Sequence, residues 1–189
     1  MTATLRLTGL LHDRLVAMAR GSVETGAVLL AHQITIDDQV VLLGDDLIAV
    51  PEDAYEIRTD QALQITSDGY VHALKIARER GMIAIWVHSH PGDHAVPRPS
   101  RHDRAVNEQL RPLFGDRTET GLYGYLVVSH DSGTLSFTGG LSGRITTPIT
   151  CVSATGDRWT FRPAHDIDPA NVKFRDTFGV PSPSSSATR

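Results

Sequence analysis

The sequence contains one cysteine, Cys151, in 189 residues. An intrachain disulfide is therefore impossible, and no zinc site of the cysteine type can be built from this chain. Any metal must be held by His, Asp or Glu. No apolar run approaches the roughly 18 to 20 residues that a membrane-spanning helix needs. The opening MTATLRLTGLLHDRL lacks a basic start leading into an unbroken apolar stretch, so no signal peptide is expected. Positive charge is not in excess. The formal net charge of −4 gives no electrostatic reason to expect nucleic acid or an anionic membrane surface as partner. These absences make a cytoplasmic protein the expectation. No internal repeat is present. The apolar fraction of 40% and charged fraction of 21% are those of a folding chain, long enough for one domain with its own core.

What is present reads as a succession of short elements. LRLTGLLHDRLVAMARG predicts a short strand and an amphipathic helix ended by Gly21. VETGAVLLAHQITI and QVVLLGDDLIAV read as two arms of a hairpin across Asp37 and Asp38. YEIRT suits a short strand, and SDGYVHALKIARERG a helix with Ser67 or Asp68 as cap and Gly81 as stop. MIAIWVHSHP is an apolar run of strand length that is expected to end at Pro91. SRHDRAVNEQLRPL predicts a helix opening at Ser100, and GLYGYLVVSHDSGTLSFTGG a strand, a turn and a second strand. RITTPITCVS and DRWTFRP can add two further strands. The end, VPSPSSSATR, reads as a flexible tail. Strands with helices before and between them point to an α/β or α+β sandwich.

Four of the nine histidines fall in VHSHPGDHAVPRPSRHD, residues 87–103. In an extended strand, residues i and i+2 point to the same face. His88 and His90 therefore present two imidazoles together at a strand exit, as a pair of metal ligands or as two solvated histidines. Ser100 and Asp103 at a helix start have the spacing of an N-cap serine and an acid at N3. The same geometry can turn both side chains back towards the strand. Asp103 then becomes a third ligand, with the fourth position open, the arrangement of a catalytic zinc.

HSHP followed by PSRHD resembles the signature of the JAMM (MPN-positive) metalloproteases, His-x-His-Pro and then Ser-x-x-Asp. That family also carries an upstream glutamate before small residues and an apolar run, and VETGAVLL supplies Glu24 and Gly26. The resemblance covers roughly residues 1–140. It implies an MPN/cytidine-deaminase-like sandwich, a mixed central sheet flanked by helices. The metalloprotease domain would span residues 1–165, with residues 166–189 a C-terminal extension ending in the Ser/Pro-rich tail. There are departures. The nine residues from Pro91 to Pro99 exceed the family's usual spacing, which a loop absorbs at little entropic cost. Ala27 stands where a second glycine is common.

Carried over position by position, the resemblance implies that His88, His90 and Asp103 bind Zn²⁺ and lower the pKa of a water. Glu24 would be the general base that passes its proton to the departing amine. Ser100 would donate to the oxyanion. Asp93, His94 and His102 are spare candidates, and His102, beside Asp103, competes as a ligand. The activity implied is that of an isopeptidase cutting after the C-terminal glycine of a ubiquitin-like modifier, alongside activating or conjugating enzymes. Two other readings share parts of the pattern. Some MPN domains lack the ligands and act as scaffolds. RadC-like, DNA-associated proteins carry a similar His-x-His-Pro and Ser-x-x-Asp run.

Overall fold

The first strand determines the architecture. β1 (Ala3–Leu7) pairs in parallel on both edges, with β3 (Gln39–Ala49) on one and β9 (Thr146–Ala154) on the other. Between them run β2 (Gly26–Ile36), β6 (Ile83–Asp93), β7 (Tyr123–Asp131) and β8 (Thr134–Ser142). The order is β1-β3-β2-β6-β7-β8-β9, and the β9–β1 pairing closes it into a seven-strand barrel. β10 (Trp159–Phe161) adds antiparallel to β9, and β4 (Tyr55–Arg58) with β5 (Leu63–Ile65) makes a separate hairpin. The helices are α1 (Gly9–Ala19), α2 (Asp68–Arg80) and α3 (Arg101–Thr118). This computed structural model describes residues 2–37, 39–143, 146–154 and 159–161. The expected C-terminal extension and tail, residues 166–189, lie outside the described residues. No described helix is long and apolar enough to cross a membrane.

The expected MPN/cytidine-deaminase-like sandwich, a mixed sheet flanked by helices, is overturned by this closure. An open flanked sheet leaves an edge at each end, whereas β1 and β9 here pair with each other and close the seven strands on themselves. The first helix does not flank the sheet either. Leu11, Leu15 and Ala19 of α1 join Leu5, Leu29, Leu42, Ile85, Leu126, Phe137 and Val152, drawn from all around the barrel, in its interior core. Only α2 and α3 lie outside, where Leu74, Leu110 and Phe114 cover Val28, Leu30 and Trp86 on the outer face of β2 and β6. Strand alternation sorts these two sets. Ile83, Ile85 and Val87 point inward, while Ala84 and Trp86 point outward under the helices.

Most individual elements fall where the sequence puts them. The Gly81 stop is in the left-handed region at φ 62° and closes α2, a conformation glycine adopts without strain. Two elements run further than expected. β6 continues through Pro91 to Asp93 across an irregularity between Ser89 and Asp93 in its pairing with β7. α3 continues to Thr118 with Pro112 inside it.

Candidate metal centre

His88 follows Trp86 by one period of the strand, so it emerges on the outer face of β6, beside the helices. It is 4% exposed. His90 follows by one more period, at the rim. Between them Ser89 is fully buried. Its N–H donates to Thr25 O at 2.9 Å, and its Oγ accepts from Thr25 N at 2.9 Å. This reciprocal tie holds the segment before β2 against the end of β6. Gly26 is registered opposite His88. Glu24, two residues before Gly26, precedes β2 and lines the same cleft as His90.

Asp103 comes from the other direction. Ser100 caps α3 with extended backbone, φ −65° and ψ 174°, and completes a capping box. Asp103 N donates to Ser100 Oγ at 3.1 Å, and Ser100 N donates to Asp103 Oδ2 at 2.6 Å. The capping reading of Ser-x-x-Asp is therefore realised, and it also fixes the Asp103 carboxylate. Asp103 Oδ1 lies 3.4 Å from His88 Nε2, and Oδ2 lies 3.3 Å from His90 Nε2. The two Nε2 atoms are 3.2 Å apart. All three residues offer ligand atoms within 4.8 Å of one another, a group that can hold a metal ion.

The electrostatics follow from this crowding. Burial favours the neutral acid at Asp103, but the hydrogen bonds from His88 and His90, the charge of His88, and the Ser100 N–H together outweigh it. They hold the carboxyl well below the usual carboxylate range. Glu24 behaves oppositely. It is 8% exposed, and burial pushes its pKa up, with Asp103 adding to the rise. The imidazoles of His90, His88 and His102 pull the other way without cancelling it. Asp103 is held as the anion, whereas burial shifts Glu24 towards its neutral form.

Glu24, His90, Ser100 and Asp103 line one cleft of about 520 Å³, whose opposite wall includes Leu63 and Gln64 of β5. His102 is exposed and borders the cleft without joining the ligand group. His94 also lines the cleft, with its Nε2 at 3.1 Å from Pro91 O. Asp93 accepts from Ser132 N at 2.8 Å and lies 3.3 Å from His130. Neither His94 nor Asp93 is in the group. His88 Nδ1 is buried with no hydrogen-bond partner among the described residues.

Residues that no sequence pattern singles out hold the segment that carries Glu24. Arg58, Tyr55 and Thr59, from β4 and just after it, bind the backbone of Glu24 to Gly26, and Ser89 locks Thr25. YEIRT announces a strand but carries no spacing that would connect it to a glutamate more than thirty positions earlier. Ser89 could have been noticed only as the inward-facing residue between two outward histidines.

No protein-family model matches the chain, and no curated protein matches it. Among solved structures it is similar to the solution structure of protein DSY2949 from Desulfitobacterium hafniense. The identity is 18% and the TM-score 0.49, covering 82% of this chain and 94% of that one.

Proposed function

We propose that the protein is a zinc-dependent isopeptidase or peptidase of the JAMM type, cutting after the C-terminal glycine of a ubiquitin-like modifier. The observation that carries this reading is the meeting of His88, His90 and Asp103 in one group, with Glu24 and Ser100 on the same cleft. The donor set supports zinc: two imidazoles and one carboxylate suit it, whereas magnesium prefers oxygen alone.

When bound, zinc supplies Lewis acidity towards a water and the scissile carbonyl. Glu24, with its raised pKa, takes a proton from the attacking water as the water oxygen bonds to the carbonyl carbon. It returns that proton to the amine nitrogen as the C–N bond breaks. Ser100 Oγ already accepts from Asp103 N, which leaves its hydrogen free to donate to the oxyanion. Capping and catalysis are compatible in this residue. Asp103 Oδ2 is engaged by Ser100 N, so the capping box holds the carboxylate in place for the metal. No covalent intermediate is required, and Cys151 remains a buried core residue.

Two features support the substrate class. β4 and β5 form a two-stranded sheet, so each has an unpaired edge among the described strands. β5 lines the cleft, and an extended tail can pair along such an edge. A glycine tail needs no side-chain room beside the metal. The test is zinc-loaded protein incubated with ubiquitin-like domains joined through Gly-Gly tails to a reporter amine, with Ala-Ala tails as controls. Cleavage after the last glycine is expected. No cleavage of any tail, together with salt-dependent DNA binding, would replace this reading with the RadC-like one.

A further inference from the structure

Glu24 sits before β2 begins, so the regular sheet ladder does not fix it. Its carboxylate makes no hydrogen bond among the described residues, and its placement depends on what holds its backbone. Glu24 N donates to Thr59 O at 2.7 Å. Arg58 Nε donates to Glu24 O at 3.2 Å, and Arg58 Nη2 donates to Thr25 Oγ1 at 3.1 Å. Tyr55 Oη accepts from Gly26 N at 3.1 Å and lies 3.4 Å from Gly26 O. Three consecutive residues, 24 to 26, are thus held by three residues of one segment. The guanidinium is itself fixed. Nη1 makes a fork to both Glu52 oxygens at 2.7 and 2.8 Å, and the cation lies 4.5 Å from the centre of the Tyr55 ring.

We infer that Arg58 is a positioning residue, which sets the Glu24 carboxylate in the cleft that His90 lines by gripping the Glu24 main-chain carbonyl and the Thr25 hydroxyl. Its relevance to turnover rests on the proposed role of Glu24 as base. The placement itself is a separate and measurable property. Arginine suits the task because a planar fork with five donors can hold a carbonyl, a hydroxyl and a carboxylate at once, which the point charge of lysine cannot. The tie to Ser89 secures Thr25 from the opposite side. Removing Arg58 leaves β2 paired but takes away the partner of the Glu24 carbonyl and the Thr25 hydroxyl, which loosens the segment that carries Glu24.

The test compares wild type with Arg58→Ala and Arg58→Lys in two measurements. Amide hydrogen exchange should accelerate by about tenfold or more at Glu24, Thr25 and Gly26 in both variants, with Val28 to Leu30 unchanged. Bound zinc should stay at the wild-type level. With a cleavable substrate, kcat should fall by roughly 10²-fold in Arg58→Ala while KM changes little, the scale expected when a reacting group is misplaced by about an ångström. Added guanidinium should restore part of the rate. Unchanged exchange at 24–26, or acceleration spread evenly over β2, would overturn the positioning role whether or not the protein is a protease. Wild-type kcat in Arg58→Ala would overturn its part in turnover and leave the protease reading standing. An inactive wild type with fast local exchange in the variants would remove the protease reading and leave the positioning role standing.

Discussion

Gly26 faces His88 across the β2–β6 ladder, and a Cβ at Gly26 would lie 2.7 Å from Trp86 Cη2 and 3.0 Å from Val50 Cγ2. Trp86 is nearly buried and stacks on His88, with ring centroids 6.4 Å apart and planes at 24°. The glycine makes room for the indole that supports the first proposed ligand. Gly26→Ala should therefore destabilise the protein by about 1 to 3 kcal/mol, the usual range for overpacking. Zinc affinity should fall as well, because the displaced ring pushes on His88. Denaturant unfolding and zinc titration of the same variant check this. A variant with wild-type stability and affinity would show that Trp86 yields freely.

Purified protein should hold about one zinc per chain, and His88→Ala or Asp103→Ala should lose most of it. Removing one of three protein ligands leaves a weak site. Elemental analysis after dialysis measures the stoichiometry. Full occupancy in both variants would transfer the ligand role to other residues, His102 first among them.

In metal-free protein, Glu24→Gln should gain stability over wild type as pH rises. Burial first, and then Asp103, raises the Glu24 pKa above its ordinary 4.5, against the pull of the histidines. A raised folded pKa means that the folded state favours the protonated acid. The associated stability is full below the unfolded pKa and is lost as pH rises through the folded one. Glutamine does not ionise, so the difference between variant and wild type should widen from about pH 4.5 towards neutrality. Denaturant midpoints across that range test the sign. A constant difference would mean that Glu24 titrates alike in both states.

Ser100→Ala removes both a cap and a hydroxyl that can donate to an oxyanion. The cap alone is worth about 0.5 to 2 kcal/mol of stability, and an oxyanion donor about 10² to 10³ in kcat. Both losses are expected. Ser100→Asp should restore the cap and lower kcat further, because a carboxylate would face the developing negative charge. Rates at a temperature where both variants are folded separate the two effects. An active Ser100→Asp variant would reduce Ser100 to a cap.

The candidate site was legible in the sequence where a local rule governs it. Strand phase puts His88 and His90 on one face, and a Ser-x-x-Asp spacing opens α3 with Asp103 turned back. The barrel was not legible. Ile83, Ile85 and Val87 alternate with Ala84 and Trp86 in the same way whether the sheet is open or closed. Closure depends on Ala3 to Leu7 pairing with strand residues near 150, and no local pattern records such a distant partner. Pro91 suggests a strand end because it lacks an N–H. The strand nonetheless resumes pairing at Asp93, opposite His130, after the irregular stretch. β5 leaves no signal because three residues, Leu63 to Ile65, are too short a run for any period to appear. Arg58 was invisible for the reason that closure was: its partners at 24 and 25 are distant in sequence.

The most direct test is the rate of amide cleavage after a terminal Gly-Gly, followed as zinc is titrated into metal-free wild type and Glu24→Gln. For wild type the rate should rise in proportion to added zinc and level off near one equivalent per chain. Glu24→Gln should bind the same zinc and turn over about 10² to 10⁴ times more slowly. Equal rates in the two proteins, or a wild-type rate that zinc does not change, would contradict the assignment of this site as a zinc hydrolase with Glu24 as its base.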